Sequence, residues 1–318
     1  MFPLIQNKIQ LPAALVILGL GLLWGAAFPA IDIVVTQFPP LGAAAVRYTL
    51  AGGIVLAFAA VTTDRLLPKT GREVLGIAIV GAFMFGGYQG GLFLGAQYVS
   101  GAVAAVVVTM SPVVAALIAV PLLGESRGIP DVVGFALGLL GVVVLSQPSL
   151  GPDFLSTTGV GVGLVFLGAT LFAVGSVTIQ LLDNGLPLET LQGWAMLTGA
   201  FLLFGGSHLR GESAPALDSV SPLALGALLY ITLVAGAMGY LLYFRLVRRV
   251  GATETTVVAY FEPVFATAVS IVAFGHVVAL DTLVGFLAVA IGFVLISREM
   301  LKRELLAGVH WPSIPSTR

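Results

Sequence analysis

The chain has 318 residues, of which 58% are hydrophobic and only 9% charged, whereas a water-soluble domain carries about a quarter charged residues. That composition excludes a soluble globule and makes the bilayer the solvent, and a net charge of -1 leaves nothing to neutralise a run of phosphates, which excludes a nucleic-acid partner. The lack of cysteine removes disulfides, iron–sulfur clusters and thiolate zinc sites, and His208, His276 and His310 have no ligand spacing, so no metal or other cofactor is expected.

A membrane-crossing helix needs about 20 apolar residues at about 1.5 Å each. Cutting the chain at charged or Pro/Gly-rich breaks predicts ten such helices: residues 12–34, 41–61, 74–95, 101–123, 129–147, 159–181, 188–207, 222–244, 252–274 and 281–297. The first follows Lys8, as a signal peptide would, but it is longer than a signal h-region and precedes further spans, so an uncleaved helix is expected. Continuous apolarity with 40 glycines fits helices, since a membrane barrel would show short alternating strands. With the N-terminus in the cytoplasm, Lys8, Arg65, Lys69, Arg72, Arg127, Arg245, Arg248, Arg249, Arg298, Lys302, Arg303 and Arg318 lie inside, Arg210 lies outside and Arg47 falls within the second span. Twelve against one predicts that both termini are cytoplasmic.

The two halves repeat. Met110-Ser111-Pro112-Val113-Val114 and Phe261-Glu262-Pro263-Val264-Phe265 stand 151 residues apart, and the same offset carries Gly124 onto Gly275, Gly134 onto Gly285, Gly141 onto Gly292 and Ser146 onto Ser297. Trp24-Gly25 aligns with Val174-Gly175, and Pro40-Leu41 with Gly52 aligns with Pro187-Leu188 with Gly199. Five spans per half is an odd number, so the second half must run through the membrane in the opposite sense. Inverted repeats recur in secondary transporters, where two pseudo-equivalent packings supply two access states around one central site. Gly87, Gly91 and Gly95 share one face of the third span, and Gly134 and Gly138 share one face of the fifth, which lets backbones pack closely.

Trp24-Gly25 followed by Phe28-Pro29, Arg47-Tyr48 early in the second span, then Ser111-Pro112, Leu123-Gly124-Glu125, Gly134 and Gly141, in that order and in tandem, resemble the drug/metabolite transporter superfamily, EamA-type branch. The resemblance covers residues 11 to 298. The second copy departs from it at Gly275-His276, where the family often shows Gly-Glu. It implies ten helices around a central cavity and transport, usually export, of small metabolites such as amino acids; other members carry nucleotide sugars, sugar phosphates and cationic drugs.

Polar residues inside the spans are the candidate site. Glu262 lies about 15 Å from either surface, where an ionised carboxylate costs on the order of 3 kcal/mol on insertion scales, so it should face water, find a partner or take a proton. Pro263 has no N–H and frees the carbonyl of Ala259 beside it, at a potential kink. A carboxylate with a loose carbonyl suits a substrate ammonium group or a coupled proton; a protonated acid bonded to a neighbouring helix is the structural alternative. Asp32 and Arg47 sit at similar depth on consecutive helices and are expected to form an ion pair, structural or gating, while a free Arg47 would hold a substrate carboxylate. Trp24 and Trp194 fall away from the interfacial belts, and Tyr88, Gln89, Ser111 and Tyr240 could hydrogen-bond a polar ligand. Thr109 and Gln180 are candidates of the same kind. Pro112 and Pro263 are the expected kinks.

Enzyme readings find no footing: His208 and His276 fall near the outer ends of their helices and His310 in the tail, no Gly-x-Ser-x-Gly elbow occurs, acidic residues are isolated within spans, and no Gly-x-x-x-x-Gly-Lys loop is present. The sequence therefore predicts an all-α integral membrane protein of ten transmembrane helices in two inverted five-helix repeats. Residues 1–147 form the first repeat, 148–158 an extracytoplasmic linker, 159–297 the second repeat and 298–318 a cytoplasmic tail. Its expected partners are the lipid bilayer, a small-molecule substrate and, if Glu262 couples transport to a gradient, protons. Its expected function is export of small polar metabolites, amino acids or amines first, by alternating access, with nucleotide sugars, sugar phosphates, drugs or a non-transporting membrane role as the alternatives.

Overall fold

The computed structural model describes residues 13–123, 128–146, 156–180, 182, 185–250, 258–275 and 280–306. Among these residues the chain is helical, with no strand. The first half runs α1 (Ala13–Gly25) and α2 (Ala27–Val35) as one rod, then α3 (Pro40–Thr62). A third rod follows, made of α4 (Gly71–Ile79), a π-helical segment (Val80–Gly87) and α5 (Tyr88–Gly95). The fourth is α6 (Gly101–Val108) with α7 (Met110–Leu123), and the fifth is α8 (Ile129–Ser146). The second half repeats this order: α9 (Thr157–Gln180), α10 (Leu188–Leu209), then α11 (Pro222–Leu229), a second π-helical segment (Tyr230–Met238) and α12 (Gly239–Val250) as one rod, then α13 (Val258–Phe274) and α14 (Leu280–Leu306). Most of the linker, residues 252–257 ahead of α13 with Glu254, His276, and the tail beyond residue 306 lie outside the described residues, as do the side chains of Gln180 and Tyr260.

Among the described residues, five stretches are long and apolar enough to cross a bilayer: Leu15–Val35, Pro40–Thr62, Gly71–Gly95, Thr157–Ile179 and Pro222–Tyr243. Shorter apolar helices cover Gly101–Ala115, Val132–Leu145, Phe261–Ala273 and Thr282–Gly292. Their outward faces carry large apolar side chains such as Phe201, Leu209 and Val272, which only hydrocarbon solvates without cost. Local chemistry sets the ends. Ser156, Ser221 and the Thr70–Glu73 capping box accept the first free N–H groups of α9, α11 and α4, and prolines occupy the first positions of α3 and α11.

The inverted repeat is visible as symmetric contacts. The two second helices pack together, α3 on α10, and so do the two fifth helices, α8 on α14; the first helix of each half packs on the third and fourth rods of the other. On the α8–α14 face a Cβ at Gly141 would meet the Gly285 carbonyl, and one at Gly292 would meet the Gly134 carbonyl. Because Gly134 and Gly141 become Gly285 and Gly292 in the second copy, exchanging the halves maps one contact onto the other. Gly87, Gly91 and Gly95 all face α9, against Leu171, Gly168 and Gly161 with Val165. These glycines serve close backbone approach.

The loops at the two ends follow the same rule. The loop after α3 docks on the start of α10, where Thr190 Oγ1 donates to the Arg65 carbonyl at 2.6 Å and Trp194 Nε1 to the Leu66 carbonyl at 2.7 Å. The loop after α10 docks on the start of α3. There Gly211, at φ +67°, closes α10: its N–H bonds the His208 carbonyl and that of Glu212 bonds the Ser207 carbonyl. This turn aims the Glu212 carboxylate at the first free N–H groups of α3, Gly42 at 2.9 Å and Leu41 at 3.4 Å. Glu212→Ala should therefore cost about 1 kcal/mol, read as a fall of about 2 °C in the thermal unfolding of the detergent-solubilised protein.

The two prolines behave differently. Ahead of Pro112 the fourth rod breaks at Thr109, between α6 and α7. The Val108 carbonyl, which Pro112 cannot bond, accepts the Ser111 hydroxyl at 2.8 Å. Pro263, by contrast, lies inside α13, which continues through it without interruption, so the second expected kink is not a helix break.

Candidate functional site

Both third rods change from α to π geometry midway, 150 residues apart in the chain. The Tyr88 N–H bonds the Phe83 carbonyl and the Gly239 N–H the Val234 carbonyl, each five residues back. A π turn widens the helix and leaves carbonyls able to accept outside donors. In the second segment two of them do so. Arg47 Nε donates to the Ile231 carbonyl at 3.0 Å and Trp24 Nε1 to the Ala235 carbonyl at 2.9 Å, while the Tyr230 hydroxyl donates to the Leu23 carbonyl at 2.8 Å. Side chains of the first half thus hold the second π segment. Among the described residues no side-chain donor does the same for the first.

Aromatic rings fill the space between the two segments. Tyr48 meets Phe85 edge-on at 5.0 Å, Phe85 meets Tyr240 at 5.9 Å, and Trp24 lies 5.4 Å from Tyr240 and 5.5 Å from Tyr243. Tyr88 opens α5 immediately after the first π segment and packs on Phe172 at 5.2 Å. The Tyr48 hydroxyl is buried without an ideal hydrogen-bond partner and stands beside that of Tyr240. The Gln89 side chain is buried as well, and its Oε1 has no partner. Of the sequence candidates, Trp24, Tyr88 and Tyr240 converge here. Tyr48, Phe85, Tyr230 and Tyr243 are not among the ligand-binding candidates of the sequence, because an aromatic in an apolar span carries no mark of the face it occupies.

Arg47 stands at the edge of this cluster, and the expected ion pair with Asp32 does not form. Asp32 Oδ2 instead accepts the Gly101 N–H at 2.6 Å, at the start of α6, where the helix dipole favours a negative charge. Arg47 is 4% exposed, its guanidinium carbon lies 4.8 Å from the Tyr48 ring centre and 6.0 Å from that of Phe93, and its Nη1 is buried with no partner. No carboxylate pairs with it among the described residues. An arginine in the hydrocarbon zone costs about 2.5–3.5 kcal/mol on insertion scales. A cation over an aromatic face recovers about 2 kcal/mol when desolvated, and the carbonyl bond adds to that. The charge is housed, but not neutralised.

Glu262 is half-buried on α13, where that helix crosses α1. A Cβ at Gly25 would lie 2.8 Å from the Glu262 carbonyl and 2.7 Å from Phe265 Cβ, so a glycine is needed next to Trp24 for α1 to come this close. Tyr88 is within electrostatic range of both Glu262 and Arg47. Ser111 and Thr109 are turned into their own helices, donating to the Val108 and Val106 carbonyls. Trp194 sits apart from the cluster: its indole ties the loop after α3, and it packs with Ile77, Ile179, Leu186 and Leu191. It is an end anchor rather than a lining residue. An apolar groove of about 380 Å³ between α2, α11 and α13 reaches Tyr230 from the side.

This arrangement of helices recurs in known proteins. A solved crystal structure matches with a TM-score of 0.62 at 20% identity, covering 92% of this chain and 98% of its own. A WAT1-related chloroplast protein of Arabidopsis thaliana is 29% identical over 77% of this chain, which spans 59% of that longer protein. The uncharacterised inner membrane transporter YedA of Escherichia coli K12 is 31% identical over 80% of this chain and 81% of its own length. A Streptantibioticus cattleyicolor protein named as a "probable terminal-alkyne amino-acid exporter" is 28% identical over 88% of this chain and 92% of its own. Residues 11–147 and 159–298 each match the EamA-like transporter family, and the chain, a multi-pass membrane protein with that domain in tandem, belongs to it.

Proposed function

We propose that this transporter exports amino acids or related amines, with both termini in the cytoplasm, by rocking its two halves around the cluster between the π segments. The observation that carries the reading is Glu262, a half-buried carboxylate in the span at the crossing next to Trp24 and within electrostatic range of Tyr88, without a basic partner among the described residues. A carboxylate so placed suits a substrate ammonium group, and aromatic faces beside it attract the same cation. The relative named for amino-acid export supports the substrate class. The inverted repeat supports alternating access, because two equivalent packings of one scaffold differ little in energy.

Reconstituted liposomes loaded with labelled amino acids, amines and nucleotide sugars test this directly. Efflux of the first two groups is expected, with acceleration by a pH gradient if Glu262 carries the coupling proton. Flux of nucleotide sugars alone would sink the substrate class, and no flux at all would sink secondary transport of these metabolites. Orientation has its own test, since the chain lacks cysteine. A cysteine at Ser213, after α10, should react with a membrane-impermeant maleimide added to intact cells, and one at Thr70, before α4, should react only after permeabilisation.

A further inference from the structure

Arg47 is the group that export of simple amines leaves unexplained. It is buried between α3 and the second π segment, it uses only Nε on a backbone carbonyl, and its Nη1 points at no acceptor. Asp32, the carboxylate nearest in sequence depth, puts its Oδ2 on the start of α6, and its Oδ1 is buried without a partner, so neither oxygen pairs with Arg47. Four tyrosines, Tyr48, Tyr88, Tyr230 and Tyr240, lie within electrostatic range of the guanidinium, and none contributes a negative charge at neutral pH. We infer that Arg47 is the subsite for a carboxylate of the substrate, so that the transported molecule bears an acid group opposite the amino group that faces Glu262. The inference rests on the proposed site and narrows its substrate from amines in general to amino acids.

The chemistry favours a single negative charge. Of the basic side chains described elsewhere, Arg65, Lys69, Arg72 and Arg210 stand at the ends of helices or in their connecting loops, and Arg245 lies in the second half of α12, beyond the span that ends at Tyr243. One arginine neutralises one carboxylate; a sugar phosphate or a nucleotide sugar brings more charge than this site can answer, into a space that already holds Glu262. A guanidinium with its Nε fixed and a Tyr48 face beneath it is also preoriented, and it offers planar N–H groups that a carboxylate matches.

Thermal stabilisation of the purified full chain by matched probes tests the inference. The probes are phenylalanine, its amide, phenethylamine and 3-phenylpropionate, with the leucine series in parallel. The free amino acids are expected to stabilise at concentrations about tenfold or more below their amides and amines, and Arg47→Gln should erase that preference while Arg47→Lys keeps part of it. Equal stabilisation by amino acid, amide and amine would overturn the Arg47 subsite and leave the export reading standing. Stabilisation by 3-phenylpropionate but by no compound with an amino group would do the reverse. No stabilisation by any probe would overturn both. If Arg47→Gln does not fold, the wild-type ranking decides alone; if it folds and keeps the ranking, the subsite is wrong.

Discussion

Glu262→Gln should lower amino-acid transport in liposomes by about 30-fold or more while leaving the protein folded. The substitution keeps the volume of the side chain and removes only its charge. A partner left facing a neutral amide inside a low-dielectric site forfeits about 2–5 kcal/mol. The kinetic split decides the role. A raised KM with little change in kcat assigns Glu262 to the substrate ammonium, and a flattened pH dependence with unchanged KM assigns it to a proton. Retained rate, KM and pH profile together would return Glu262 to a structural part, hydrogen-bonded against a neighbouring helix.

Gly141→Leu and Gly292→Leu should each destabilise the protein by about 3 kcal/mol or more, and by nearly the same amount. At Gly141 a Cβ would meet the Gly285 carbonyl at 2.7 Å and Val289 Cγ2 at 2.9 Å; at Gly292 it would meet the Gly134 carbonyl and the Gly138 nitrogen. The Gly285 and Gly134 carbonyls and the Gly138 nitrogen are backbone atoms, which cannot step aside as the end of a side chain such as Val289 can. The two sites are images of each other under exchange of the halves, so equal losses of folded protein in fluorescence-detected size exclusion are expected. A large loss at one and none at the other would show that α8 and α14 do not pack as a symmetric pair. The lipid-facing Gly163, with open space around its Cα, is the control: Gly163→Leu should leave the elution profile unchanged.

Much of the fold was legible because its cause is local. A run of about 20 apolar residues must be helical in a bilayer, where every N–H and carbonyl has to bond within its own segment. The glycine pattern of the fifth span could be read as a packing face because the helical period places Gly134 and Gly138 together. Pro112 marked a break because its ring and missing N–H act on the turn immediately before it. Pro263 shows the limit of that rule. The same residue at the equivalent place sits within an unbroken helix, where the preceding residue is Glu262 and not Ser111.

The site was less legible. The depth of Arg47 and Asp32 suggested a pair, but depth says nothing about azimuth, and the start of α6 offered Asp32 a closer partner. Trp194 was grouped with Trp24 by its distance from the expected interfaces, yet its indole anchors a loop that folds back over α10. The π segments left no trace at all: one extra residue per turn needs no particular side chain, and it shows only in which carbonyl each N–H reaches.

Sequence by itself determined that this chain is a membrane protein of helices, that its halves repeat with inverted sense, and that Glu262 breaks the symmetry where the first copy has Ser111. Those follow from composition, period and spacing, which act over one helix or less. Only the tertiary structure decided that Arg47 stands without a carboxylate among the described residues and that it and Trp24 bond carbonyls of the second π segment. Those contacts join residues 184 and 211 positions apart, and they depend on how the helices turn about their axes when they pack.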